Sequence, residues 1–102
     1  MSYNKLCIKN ILISLDELTL QTKGIDFETF SSHNPKYDRK TLIHHLNGLY
    51  SEELIHKPFY AEGTIKHLST LTKSGYSLLN EIRTLPTSEQ IRVVFDELDI
   101  YL

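Results

Sequence analysis

The chain holds one cysteine, no tryptophan, three prolines and four glycines in 102 residues. A lone thiol, Cys7, excludes an internal disulfide framework and any cysteine-based zinc cage. So few prolines and glycines exclude a fibrous or low-complexity chain. No apolar run approaches the roughly 18 residues that a membrane-spanning helix needs. The N-terminal segment leads into an interrupted apolar pattern unlike a secretory signal. A Gly-rich phosphate loop and a His-Glu-x-x-His metal motif are both missing. The expectation is a cytoplasmic, non-enzymatic protein with no cofactor, no metal and no membrane contact. What remains is ordinary for one globular domain: 40 % hydrophobic and 24 % charged residues.

Neither charge sign dominates. The formal net charge is −2, which by itself argues against nucleic acid. Its distribution is uneven. Residues 33–73 carry six Lys or Arg against four acids, together with all five histidines, so this stretch is +2 and the remainder −4. A basic middle between acidic ends fits a nucleic-acid face, and scattered surface charge fits it too.

Hydrophobic periodicity predicts four helices. Leu6, Ile8, Ile11, Leu12, Leu15 and Leu18 recur at helical spacing over residues 4–18, with Ser2 or Asn4 as N-cap. Residues 25–30 alternate apolar with polar at first and read as a short strand, with one helical turn as the competitor. Asn34 before Pro35 marks a turn. Asp38 then caps a helix over 38–53, with Leu42, Ile43, Leu46, Leu49 and Tyr50 on its inner side and Lys40, Thr41, His44, Asn47 and Ser51 outward. Residues 54–72 change to period two around Ala61-Glu62-Gly63 and read as a β-hairpin, its Pro58 confined to an edge or bulge. Thr72 caps a helix carrying Tyr76, Leu78, Leu79 and Ile82, with Gly75 allowing close packing. The last helix occupies 87–102, with Thr87 and Gln90 spaced as a capping box.

Helix, short strand, turn, helix, β-hairpin and two further helices argue against a parallel-sheet enzyme. A helix running straight into a hairpin is the layout of a winged helix-turn-helix. The expected fold is therefore α+β, a single winged-helix domain over 1–102 with flanking N- and C-terminal helices. Two segments strengthen this. Ile43-His44-His45-Leu46-Asn47-Gly48-Leu49-Tyr50-Ser51-Glu52-Glu53-Leu54-Ile55 and Leu71-Thr72-Lys73-Ser74-Gly75-Tyr76-Ser77-Leu78-Leu79 together resemble an uncharacterised winged-helix-like family common in prophages and other mobile elements. The Leu-Thr-x-x-Gly element is also similar to PadR- and MarR-type regulators. The resemblance spans residues 42–83. In this chain Glu53 stands where the pattern ends its helix with glycine, Gly48 replaces an apolar residue, and Tyr76 replaces the histidine after Gly75. The resemblance implies a DNA-binding transcriptional regulator of a phage or mobile element.

The residues point to the same chemistry. Major-groove recognition needs hydrogen-bonding side chains on the outward face of a helix. Lys40, Thr41, His44 and Asn47 supply them. Phosphate positioning needs basic and aromatic residues beside that helix, and Lys36, Tyr37, Lys57, Tyr60 and Lys66 qualify. The expected partner is double-stranded DNA. The competing reading is a winged-helix adaptor or inhibitor that binds a host or phage protein and no DNA. Other chemistry is poorly supplied. His44 and His45 are adjacent and diverge on a helix, while His56 with His67 across the hairpin make an incomplete zinc site. Val93 and Ile100 lie opposite the inner face of the last helix, so Val93, Val94, Ile100 and Tyr101 are expected to form a homodimer interface.

Overall fold

Each helix of the computed structural model, which describes residues 2–20 and 22–102, starts at an Asn, Asp or Thr that accepts the amide three residues on. Asn4 caps α1 (Lys5–Leu18), Asp26 caps α2 (Phe27–Ser32) and Asp38 caps α3 (Arg39–Ser51). Thr72 caps α4 (Lys73–Ile82) and Thr87 caps α5 (Ser88–Glu97). These side chains satisfy amides that the helix itself leaves unpaired. The capping box at Thr87 is a variant. Gln90 accepts from the Thr87 hydroxyl, at 3.0 Å, while its own amide donates back.

Three short antiparallel strands accompany the helices: β1 (Ile25–Asp26), β2 (Phe59–Ala61) and β3 (Thr64–Leu68), in the sheet order β1-β3-β2. The chain is thus α+β. Glu62 and Gly63 join β2 to β3 with φ of 54° and 76°, the left-handed pair that a two-residue hairpin turn requires. Tyr60 faces Ile65 but Phe59 faces His67, so Lys66 is the extra residue of a bulge. Pro58 immediately precedes the edge strand β2, where its missing N–H costs no ladder bond. An isolated bridge from Ile55 to Leu71 closes the base of the hairpin.

The expected strand over 25–30 is corrected to two strand residues and a helix. Asp26 serves both elements. It pairs with His67 in the sheet, and its carboxylate accepts the Thr29 amide at 3.0 Å. Phe27 and Phe30 then fall on one face at helical spacing and are buried, their ring centroids 6.1 Å apart. Past α2, the buried Asn34 donates to Phe30 O and accepts from Ser14, tying the turn to α1.

The core surrounds α1, whose Cys7, Ile8, Ile11, Leu12 and Leu15 are buried and which packs against α2, α3, α4 and α5. The inward stripe of α3 is rotated from the expected one: His45 and Gly48 are buried, Ile43 is half-buried and Tyr50 is exposed. Tyr76 of α4 is likewise exposed, and Gly75 takes the inward place. A Cβ at Gly75 would stand 2.0 Å from Leu54 O. That carbonyl accepts the Thr72 amide, so α4 starts in direct backbone contact with the segment leaving α3.

Both α3 and α5 end with a residue in the left-handed region, Glu53 at φ 59° and Asp99 at φ 56°. Leu54 N–H returns to Leu49 O and Ile100 N–H to Phe95 O, each at 2.9 Å, the six-to-one bond of a Schellman cap. The cap ends α5 at Glu97, short of the expected residue 102. It turns Ile100 back toward the core of its own chain, against which Val94 and Leu102 are also partly packed. Val93 and Tyr101 stay exposed. The Lys5 ammonium donates to the Leu102 carbonyl and lies over the Phe95 ring. No helix among the described residues is long and apolar enough to cross a membrane.

Candidate nucleic-acid interface

The outward side of α3 runs through Arg39, Lys40, Asn47, Tyr50 and Ser51, with Ile43 half-covered between them. From residue 39 to residue 51 the helix has no carboxylate. Asp38, just before it, is spent on the cap, and Glu52 and Glu53 follow its last residue. The Thr41 hydroxyl and amide hold the Asp38 carboxyl below its ordinary pKa, and the Thr41 amide is 2.8 Å away. Thr41 is half-buried. Arg39 is also engaged. Its guanidinium pairs with Glu28 at 2.8 Å and lies over the Phe27 ring. Lys40 is the exposed cation of this face and has no ion pair among the described residues.

His44 departs from expectation. The Tyr3 ring stacks on it with centroids 4.4 Å apart and planes 9° from parallel. Tyr3 also lies over Gly48, where a Cβ would fall 2.4 Å from the tyrosine ring. His44 is half-buried and its Nε2 is enclosed without a hydrogen-bond partner. It is thus not a free outward donor. The neighbouring His45 is buried. Its Nε2 accepts the Asn4 amide at 2.9 Å and its Nδ1–H donates to Thr41 O at 2.8 Å. Those two bonds define the neutral Nδ1–H tautomer, and burial lowers its pKa below the ordinary 6.5. Tyr3 was the residue that helical spacing could not find. Its signal was Gly48, a glycine inside an amphipathic helix, which marks a close approach.

The hairpin meets this face through Tyr60. Its hydroxyl donates to Asn47 Oδ1 at 2.6 Å. Phe59 beside it is 63 % exposed and Tyr60 is 41 % exposed. Lys57 and Lys66 are exposed on the hairpin and its lead-in. Lys66 stands 4.0 Å from Glu62, a surface pair of little energetic weight. On the other side, Lys36 is exposed in the turn before α3, whereas Tyr37 packs against the core and accepts from Asn10 Nδ2. Lys40, Asn47, Lys57 and Tyr60 therefore keep the accessibility expected of them, and Lys36 and Lys66 flank them. Tyr37, Thr41 and His44 serve the fold first.

No protein-family model, curated protein or solved structure matches the chain. The site is argued from its own geometry. Among the described residues no group of three or more His, Cys, Asp or Glu could hold a metal ion. Cys7 is fully buried, and desolvation pushes its thiol up to about 11, far from the thiolate that nucleophilic chemistry needs. A separate groove between α4 and the C-terminal segment is lined by both charges, including Glu52, Lys73, Glu81 and Asp99. No orphaned polar group among the described residues points into it.

Proposed function

We propose that the protein is a winged helix-turn-helix DNA-binding regulator of a phage or mobile element, with α3 in the major groove and the β2–β3 hairpin against the backbone. The observation that carries this reading is the acid-free outward face of α3 joined to the hairpin by the Tyr60–Asn47 hydrogen bond. That bond makes helix and hairpin one surface, as simultaneous groove and backbone contact requires. The element order α1-β1-α2-α3-β2-β3, with β1 against β3, supports the fold assignment. The resemblance of residues 42–83 to prophage proteins supports the biological setting.

A low net charge implies weak binding by one protomer, and a two-fold dimer reading two half-sites suits it. The remaining exposed apolar residues near the C-terminus, Val93, Leu98 and Tyr101, are the surface for such a dimer. One observation favours the second reading, a protein-binding module. Phe59, Tyr60 and Tyr50 are exposed aromatics, a residue class enriched at protein interfaces.

Fluorescence anisotropy on a random-sequence duplex, repeated from 50 to 200 mM salt, separates the two. DNA binding gives an affinity that falls steeply with salt, because phosphate contacts release counterions. A protein-binding module gives no such binding.

A further inference from the structure

A groove of about 670 Å³ opens at the root of the hairpin, with no residue of α3 in its lining. Three stretches of chain build it: the loop between α1 and β1, the lead-in to β2, and the run from the end of β3 into α4. Its floor is a row of hydroxyls. Thr19, the buried residue that caps the end of α1, is bonded to Thr70 at 3.1 Å, and Thr70 to Tyr76 of α4 at 2.6 Å. The His56 amide donates to Thr70 O, which ties the lead-in to the same floor. Lys23, His56 and Lys57 stand exposed around it.

The charge of this groove is of one sign. The chain has 13 acids, yet none lies in residues 18–25, 54–61 or 63–80, the three stretches concerned. Neither Lys23 nor Lys57 has an ion pair among the described residues. The groove between α4 and the C-terminal segment differs, since Glu52, Glu81 and Asp99 offset its Lys73. Lysines and hydroxyls without a carboxylate are the side chains that take phosphate oxygens.

The groove also continues the proposed DNA face. A smaller concavity along Lys57, Pro58, Phe59 and Tyr60 leads from it to the tyrosine whose hydroxyl is bonded to Asn47. Three residues of extended chain cover at most roughly 10 Å, a length over which one DNA strand carries about three phosphates.

We infer that the groove holds backbone phosphates of the duplex bound by α3, so that Lys23, from the loop before β1, is a DNA contact alongside Lys57. This inference rests on the DNA-binding reading above and extends its contact surface from the edge of the hairpin to the root.

The test is fluorescence anisotropy on a random-sequence duplex from 50 to 200 mM salt. The chains compared are the wild type, Lys23→Ala, Lys57→Ala, the double variant and Lys73→Ala, each checked by thermal melting. All three lysines are exposed, so the variants keep the fold. Lys73→Ala removes the same charge from the other groove. The expected result is a salt slope lowered by about one for Lys23→Ala and for Lys57→Ala, and by about two for the double variant, with Lys73→Ala at the wild-type value. Two results overturn the inference while leaving DNA binding in place: wild-type slope and affinity in Lys23→Ala, or an equal reduction in Lys73→Ala, which would reduce the effect of Lys23 to net charge. A wild-type chain with no salt-dependent duplex binding overturns the DNA-binding reading itself and this inference with it. In that case, amide NMR shifts at Lys23 and Lys57 on titrating inorganic phosphate would make the groove a site for a free anion and not for DNA.

Discussion

The backbone amide of Asn4 donates to Nε2 of His45 across 41 positions of sequence. The bond exists only while the ring is neutral, because a protonated imidazole has no acceptor. Burial, the largest cause, lowers the His45 pKa from the ordinary 6.5. The unfolded chain therefore takes up a proton below about pH 6.5 that the folded chain refuses. Stability from this group is complete above pH 6.5 and is lost as the pH falls toward the lower, folded value. The melting temperature is expected to drop between pH 7.5 and 5.5. His45→Gln, measured over the same range, should show a flatter profile.

Two glycines of similar helical setting should respond differently to alanine. At Gly75 the added carbon would meet the Leu54 carbonyl at 2.0 Å, and that oxygen belongs to backbone already bonded to Thr72. Gly75→Ala should cost about 3 kcal/mol or more in urea denaturation. At Gly48 the clash is with the far end of the Tyr3 ring, a side chain that can turn aside where a backbone carbonyl cannot. Loss of the stack onto His44 is offset by the better helix propensity of alanine, about 0.5–1 kcal/mol. Gly48→Ala should stay within about 1 kcal/mol of wild type.

Glu53 holds a left-handed conformation at φ 59°. A side chain there costs roughly 1 kcal/mol that glycine does not incur. Glu53→Gly should therefore stabilise the protein by about 0.5–1 kcal/mol, seen as a higher urea midpoint with an unchanged slope. Its carboxylate is exposed, so nothing is lost in exchange.

On duplex DNA, Lys57→Ala should weaken binding to all sequences alike and reduce the salt slope by about one. Lys40→Ala should instead relax sequence preference, with a loss of roughly 1–3 kcal/mol on the best site. Both side chains are exposed, so melting temperatures should barely move. Equal and uniform effects for the two would place Lys40 on the backbone.

Light scattering at micromolar concentration should give twice the chain mass. Val93→Ser with Tyr101→Ser should return it to one chain without unfolding, since these side chains are exposed. Deleting α5 is not an equivalent test. Ile91 and Phe95 are part of the core, and their removal would empty it.

Helix starts were legible because each is chemical: Asn4, Asp38, Thr72 and Thr87 announce themselves as caps. The hairpin was legible from its period and from Glu62-Gly63. The start of α2 was not, because Asp26 ends a strand and caps a helix at once, so Ile25 to Glu28 imitates alternation. The site was half legible. Helical spacing placed Lys40 and Asn47 outward, but it could not see Tyr3 arriving from 41 residues away to cover His44. Nor could it see Tyr60 reaching Asn47. Ile100 was misplaced because extending the helical pattern past Leu98 ignores the left-handed turn at Asp99.

The centre of the fold is its first helix, and its partners are spread to the far end of the chain, with α5 among them. α1 leaves the ribosome with an apolar stripe of five residues that α2, the next helix, covers only in part. The two-residue strand β1 must likewise wait for β3, some forty positions later. Neither can be completed by local contacts, and such non-local closure slows folding. The core is therefore complete only once Ile91 and Phe95, both buried in it, have emerged, and until then part of the α1 stripe stays uncovered.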